Sequence, residues 1–261
     1  MVSGQGSCAA GRLLFASGLA ATMVLASSAG ASDDSVDVLV GQVSAFSQSG
    51  GSLPEGWQPL TFPKVPRHTD YQLIRETEDG PWVMQATSDN AGSGLIHKVA
   101  IDLKTNPIMR VAWKVESVLA KGDARKKQTD DYPARVYLIF DPPMEDLSYW
   151  ERAKLSLARS IFGDVPGRAI NYFWASTVPK GAVFGSAYAG DFIKLIALES
   201  GDANAGRWQV EERDVFEDYR ELFGTEPPAL VAVAVMTDTD NTHERVRAWY
   251  GDIEFIERSE R

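Results

Sequence analysis

The 261-residue sequence is poor in cysteine, with one, and in histidine, with three, and it carries a formal net charge of −10. Each shortage excludes something. A lone Cys8 makes neither an intrachain disulfide nor a multi-thiolate metal site. His68, His97 and His243 show no H-x-x-x-H or H-E-x-x-H spacing, which argues against a histidine-built zinc site. Affinity for a phosphate backbone rests on Lys and Arg, so an acidic chain is not expected to bind nucleic acid or anionic lipid. There is no P-loop and no G-x-G-x-x-G opening after a strand, and Gly92-Ser93-Gly94 follows Ala91, which is not a G-x-S-x-G elbow.

Long apolar runs are also scarce, and the one of note lies at the start. Arg12 precedes the small-residue run Leu13 to Leu25, and Ala29 and Ala31 supply an Ala-x-Ala site. This is the pattern of a secretory signal peptide cleaved after Ala31. An uncleaved anchor is the weaker reading, because the run is rich in Ala, Ser and Gly and short of the roughly twenty residues of a span. Cys8 precedes the run, whereas a lipoprotein cysteine would follow it. The expected layout is a signal peptide over 1–31, a leader element and linker over 32–55, and one domain over 56–261. The mature chain would then be thiol-free and periplasmic or secreted, with no stable membrane insertion after cleavage.

What is abundant is strand. Runs rich in β-branched and aromatic residues, bounded by Gly, Pro, Asn or Asp, recur at Trp82–Thr87, Leu95–Leu103, Ile108–Val115, Ala134–Asp141, Ile170–Ser176, Phe192–Leu198, Arg207–Glu212, Leu230–Thr237 and Val246–Phe255. Nine such runs predict an all-β fold, a two-sheet β-sandwich of jelly-roll type. Two short helices interrupt it. Ser148 and Glu151 form a capping box before Ala153, Leu155, Leu157, Ala158, Ile161 and Phe162. Asp214 and Glu217 open a second helix that stops at Gly224, ahead of Pro227-Pro228.

The succession Asp130-Asp131-Tyr132-Pro133-Ala134-Arg135-Val136-Tyr137, Asn171-Tyr172-Phe173-Trp174, Trp208 with Glu211 to Val215, Met236 to Thr242, and Trp249-Tyr250-Gly251-Asp252-Ile253 resembles a bacterial family catalogued as a domain of unknown function, family 3047. The resemblance runs over roughly residues 56 to 256 and implies an exported bacterial protein without an assigned reaction. At the level of fold the chain is also similar to jelly-roll carbohydrate-binding modules, which often begin with a Gly-Trp segment, here Gly56-Trp57, and end in a strand like Tyr250 to Phe255. In many of those modules a carboxylate near the last strand binds structural calcium, a place that Asp252 takes by analogy.

Three groups carry candidate chemistry. Asp130 and Asp131 stand before a strand bearing Arg135, with Asp141 at its far end. Together they suit either bidentate recognition of sugar hydroxyls or a salt bridge that pins a loop. Asp238, Asp240 and Asn241 are a dense set of oxygen donors, readable as part of a calcium site or as a polar turn; Thr242 and His243 depart from the EF-hand pattern. Tyr172 and Trp174 share one strand face by the period of two, and form either a stacking platform or part of the core, while Phe173, Trp208 and Trp249 are assigned to the core. Glu211 and Glu212 are adjacent on a strand and face opposite ways.

The functional expectation is a periplasmic protein that binds a glycan or another envelope component on a sheet face. Asp131, Arg135, Asp141, Tyr172 and Trp174 are the ligand-binding candidates. Calcium is the one cofactor considered, on Asp238, Asp240 and Asp252. Two alternatives stay open. One is a glycan hydrolase or lyase with acids drawn from Asp130, Asp131, Asp141 and Glu212, which requires two carboxylates converging across a ring. The other is an envelope assembly factor, which requires an apolar surface patch.

Overall fold

The computed structural model describes residues 42–143, 145, 147, 149, 152 and 167–259. The stretch expected to be a signal peptide lies outside the described residues, as does the helix expected after Ser148 apart from Tyr149 and Arg152. The described chain is a two-sheet β-sandwich.

The first sheet contains β1 (Gln42–Ser44), β3 (Asp70–Arg75), β4 (Trp82–Asp89), β6 (Ile108–Val115), β11 (Gln209–Asp214) and β13 (Arg245–Ile256). Its order is β11-β6-β13-β4-β3, with β1 also pairing on β13. The second contains β2 (Trp57–Leu60), β5 (Gly92–Ile101), β7 (Arg135–Phe140), β8 (Arg168–Ala175), β9 (Val183–Ser186), β10 (Gly190–Ser200) and β12 (Leu230–Asp238), in the order β2-β5-β12-β7-β8-β10-β9. Among the described strands all pairings are antiparallel except β8 with β10. Every one of the nine predicted runs is a strand. The four that patterning missed are short or interrupted: β1 and β9 have three and four residues, β2 contains Pro59, and β3 alternates weakly on an edge.

Alternation decides which side chains enter the core. Val136, Leu138 and Phe140 of β7 are fully buried between the sheets, and Tyr137 and Ile139 face away and are half-buried. Facing them from the first sheet are Met109, Val111 and Trp113 of β6 and Tyr250, Ile253 and Phe255 of β13. Trp113 meets Trp174 across the interface with ring centroids 6.1 Å apart. Polar ties also cross it: the Tyr250 hydroxyl donates to the Met236 carbonyl at 2.7 Å. Val43 and Phe46 join this core, so the sandwich takes in residues before Gly56, inside the stretch expected to be leader and linker.

The helix α1 (Val215–Phe223) forms as its caps predict. Asp214 accepts the Glu217 amide at 3.1 Å, and Gly224 closes the helix with φ 72, a left-handed conformation that glycine adopts without steric cost. Its Val215 and Tyr219 pack into the main core.

Candidate functional site

A groove of about 430 Å³ crosses the outer face of the first sheet. Its floor is made of small residues, Ala112 of β6 and Gly251 of β13, with Val83 and Val210 beside them and Trp82 and Trp208 among its lining residues. The β6/β13 ladder shifts register between Tyr250 and Ile253, a bulge that puts Gly251 and Asp252 on this face. A Cβ at Gly251 would stand 3.0 Å from the Ala112 Cβ and 3.7 Å from the Trp208 ring, so glycine keeps the floor open.

The tryptophans are held in place. Trp208 Nε1–H donates to Glu76 Oε2 at 2.7 Å, and the Lys114 ammonium pairs with the same carboxylate while lying 5.3 Å from the Trp208 ring centroid. Burial raises the Glu76 pKa, but the hydrogen bonds from Lys114 and Trp208 outweigh it and hold the carboxyl below its usual range. The Arg75 guanidinium lies 4.8 Å from the Trp82 ring centroid, and Gly51 packs on that ring, with room for no Cβ. Polar groups line the same groove. Arg110 donates to Glu212 and Glu254, both at 2.7 Å, and Asp252 accepts from Ser47 N at 2.9 Å and Ser47 Oγ at 2.5 Å.

A second polar assembly lies where β12 ends and β7 begins. Register pairs Met236 with Arg135, which carries Asp238 alongside the loop before β7. Arg135 Nη2 meets Asp238 Oδ2 at 2.6 Å, and its guanidinium lies over the rings of Tyr132 at 4.5 Å and Tyr137 at 5.1 Å. Asp131 accepts the amides of Asn241 at 3.3 Å and Thr242 at 2.6 Å, and the Tyr132 hydroxyl donates to Asp130. Oxygens of Asp131, Asp238 and Asp240 lie within 4.8 Å of one another. Burial raises the carboxyl pKa values of Asp130, Asp238 and Asp240; Arg135 opposes this and the neighbouring acids add to it. Calcium takes six to eight oxygens. Here both Asp131 oxygens accept backbone amides, and Asp238 is engaged by Arg135 and by the Tyr132 amide, which leaves Asp240 as the least committed of the three.

A family model matches residues 55–254, from just before β2 into β13. The chain belongs to the family described as Protein of unknown function (DUF3047). No curated protein matches it. Among solved structures, the chain is similar to the glycoside hydrolase domain of Endo-D from Streptococcus pneumoniae R6, at 13% identity and a TM-score of 0.31 over 78% of this chain and 22% of that one. It is also similar to the carbohydrate-binding and catalytic modules of an endo-1,4-β-D-xylanase from Clostridium thermocellum complexed with xylohexaose, at 11% identity and a TM-score of 0.34 over 85% of this chain and 28% of that one. The chain therefore spans about a quarter of the length of either structure.

In this DUF3047 member the residues singled out in the sequence are distributed differently from the expectation. Tyr172 and Trp174 are not a platform: both have 0% exposure and lie in the main core, with the Tyr172 hydroxyl on Asp218 Oδ2 at 2.5 Å and Trp174 Nε1 on the Gly201 carbonyl at 3.0 Å. Asp141 lies beyond the far end of β7, six residues from Arg135 or about 20 Å along a strand, and so takes no part with Asp131. Asp252 belongs to the groove, apart from Asp238 and Asp240, whose third carboxylate is Asp131. Phe173 and Trp249 are buried as assigned, whereas Trp208 is half-buried and lines the groove. Trp82, Arg110, Glu76 and Gly251 were not singled out for a site; the one signal in the sequence was a tryptophan at the start of a strand run.

Proposed function

We propose that this protein is exported to the periplasm, directed by its first 31 residues, and binds a saccharide in the groove on the outer face of the first sheet. The observation that carries the reading is the pairing of two anchored tryptophans, Trp82 and Trp208, with a floor of Ala112 and Gly251 and a set of hydrogen-bonding groups in one groove. Pyranose rings present flat C–H faces between equatorial hydroxyls, and such a surface accepts both at once. Arg110, Asp252 and Glu254 are already oriented by hydrogen bonds, which lowers the entropy lost on binding. The groove thus takes over the role first assigned to Tyr172 and Trp174.

The acids considered for hydrolysis do not share a cleft. Asp130 and Asp131 stand at the start of β7, Asp141 beyond its other end, and Glu212 on the outer face of the first sheet in an ion pair with Arg110. Binding without cleavage is the reading we adopt. A glycan array followed by calorimetry tests it: the parent binds at least one glycan, and the Trp82→Ala, Trp208→Ala double variant loses at least tenfold in affinity. A folded double variant that binds as the parent does would overturn it.

A further inference from the structure

Resting on the saccharide reading above, we infer that the groove takes an uncharged glycan and discriminates against both polyuronates and amino-glycans. The cations nearest the groove are each engaged, most of them with carboxylates. Arg110 joins Glu212 and Glu254, Lys114 joins Glu76, and Arg247 joins Glu116 at 2.7 Å. Asp252 has one oxygen on the Ser47 amide and the other on the Ser47 hydroxyl. Arg75 donates to the Glu78 carbonyl at 3.0 Å and lies over Trp82.

A uronate entering the groove meets Asp252 and Glu254 and finds every nearby guanidinium and ammonium already engaged. To recruit Arg110 it has to break a pair and leave Glu212 or Glu254 uncompensated, which disfavours binding. A protonated amino sugar meets the opposite obstacle. Cations already lie over both rings, Lys114 over Trp208 and Arg75 over Trp82, so a further positive charge stacked there is repelled and gains little from the ring quadrupole. Neutral hydroxyls face neither penalty, because they donate to the remaining lone pairs of Asp252 and Glu254 without disturbing the pairs. The overall charge of −10 and the Asp252 carboxylate, which has no cationic partner among the described residues, favour a cationic polymer; the cations over both rings oppose that preference where a sugar stacks.

Affinity electrophoresis of the purified chain in hydroxyethylcellulose, galactomannan, dextran, polygalacturonate and chitosan, each at 20 and 500 mM NaCl, tests the inference. The expected result is retardation by at least one neutral polymer, changing less than twofold with salt. That retardation is expected to fall at least tenfold in Trp82→Ala, Trp208→Ala and in Val210→Arg, which adds bulk at a position 63% exposed and spares the core. Tightest retardation by polygalacturonate or chitosan, weakened tenfold by salt and lost in both variants, overturns the charge inference and leaves the groove as the site. Retardation indifferent to both variants, or none by any polymer, overturns the groove and the inference together.

Discussion

The indole N–H of Trp208 donates to Glu76 at 2.7 Å across 132 residues of chain, joining the loop after β3 to the approach to β11. This bond and the Lys114 contact fix the orientation of a half-buried aromatic ring at the groove. Glu76→Gln keeps the shape of the side chain and weakens its hold on both partners. Its expected effect is a three- to tenfold loss of glycan affinity with an unfolding midpoint within a few degrees of the parent, read by calorimetry and thermal unfolding. Unchanged affinity would show that Trp208 needs no such support.

Tyr172 belongs to a buried network that fastens α1 and β11 to the second sheet: its hydroxyl donates to Asp218, which also accepts two bonds from Arg213. Tyr172→Phe removes a hydrogen bond to a charged group and is expected to cost about 1.5–3 kcal/mol. Trp174→Ala opens a cavity beside Trp113 and is expected to cost about 3–5 kcal/mol. Urea unfolding measures both, and glycan affinity of the folded Tyr172→Phe protein should equal that of the parent. A Trp174→Ala protein with parental stability would contradict its place in the core.

Glu199 of β10 and Glu211 of β11 meet at an edge of the sandwich and share Lys180, at 2.6 and 3.5 Å. Burial, with Glu199 adding to it against the pull of Lys180, pushes the Glu211 carboxyl up to about 6 from 4.5. Between these two values the folded protein holds a proton that the unfolded chain has lost, so stability falls as pH rises from about 4.5 to 6 and is level above it. Glu199 is shifted the other way: burial raises it, but Lys180 and Asn204 outweigh that and bring it below 4.5, so its window lies lower. Glu211→Gln should remove the decline between pH 4.5 and 6 and raise stability at pH 7.5 by up to about 2 kcal/mol. Urea unfolding at half-unit pH steps checks both; a variant whose profile parallels that of the parent would disprove the assignment.

Asp240 is raised by burial and by Asp131, so its charge opposes folding at neutral pH. Asp240→Asn should raise the melting temperature at pH 8, with the gain vanishing as pH falls towards 3.8, where the unfolded carboxyl takes up its proton. A calcium titration separates a loop pin from a cation site. The commitment of Asp131 and Asp238 to protein donors predicts no rise in melting temperature at millimolar calcium. A rise in the parent that Asp240→Asn abolishes would make the three carboxylates a metal site.

The strand runs and the caps of α1 were readable because alternation and start signals are local. The platform error at Tyr172 and Trp174 has a physical origin. All eight residues of β8 are buried, since Phe173 and Ala175 pack under loops in a second cluster on the opposite face, so alternation carries no in-or-out signal there. The groove was hidden for another reason. It depends on the bulge at Gly251 and on Trp208 lying across neighbouring strands, and both are properties of register. The same holds for the acids: Asp131 and Asp238 became neighbours because β12 pairs with β7, which no spacing within either segment reveals.

The order of strands also bears on when the fold can exist. β13, the last of the described strands, lies between β6 and β4, and β12, the one before it, lies between β5 and β7. Neither sheet has its central ladder until the closing segment is available, so contacts far apart in sequence dominate and folding is slow for the size of the chain. Without β12 and β13 each sheet is left as two separate halves, β11-β6 and β4-β3 in the first and β2-β5 and β7-β8-β10-β9 in the second.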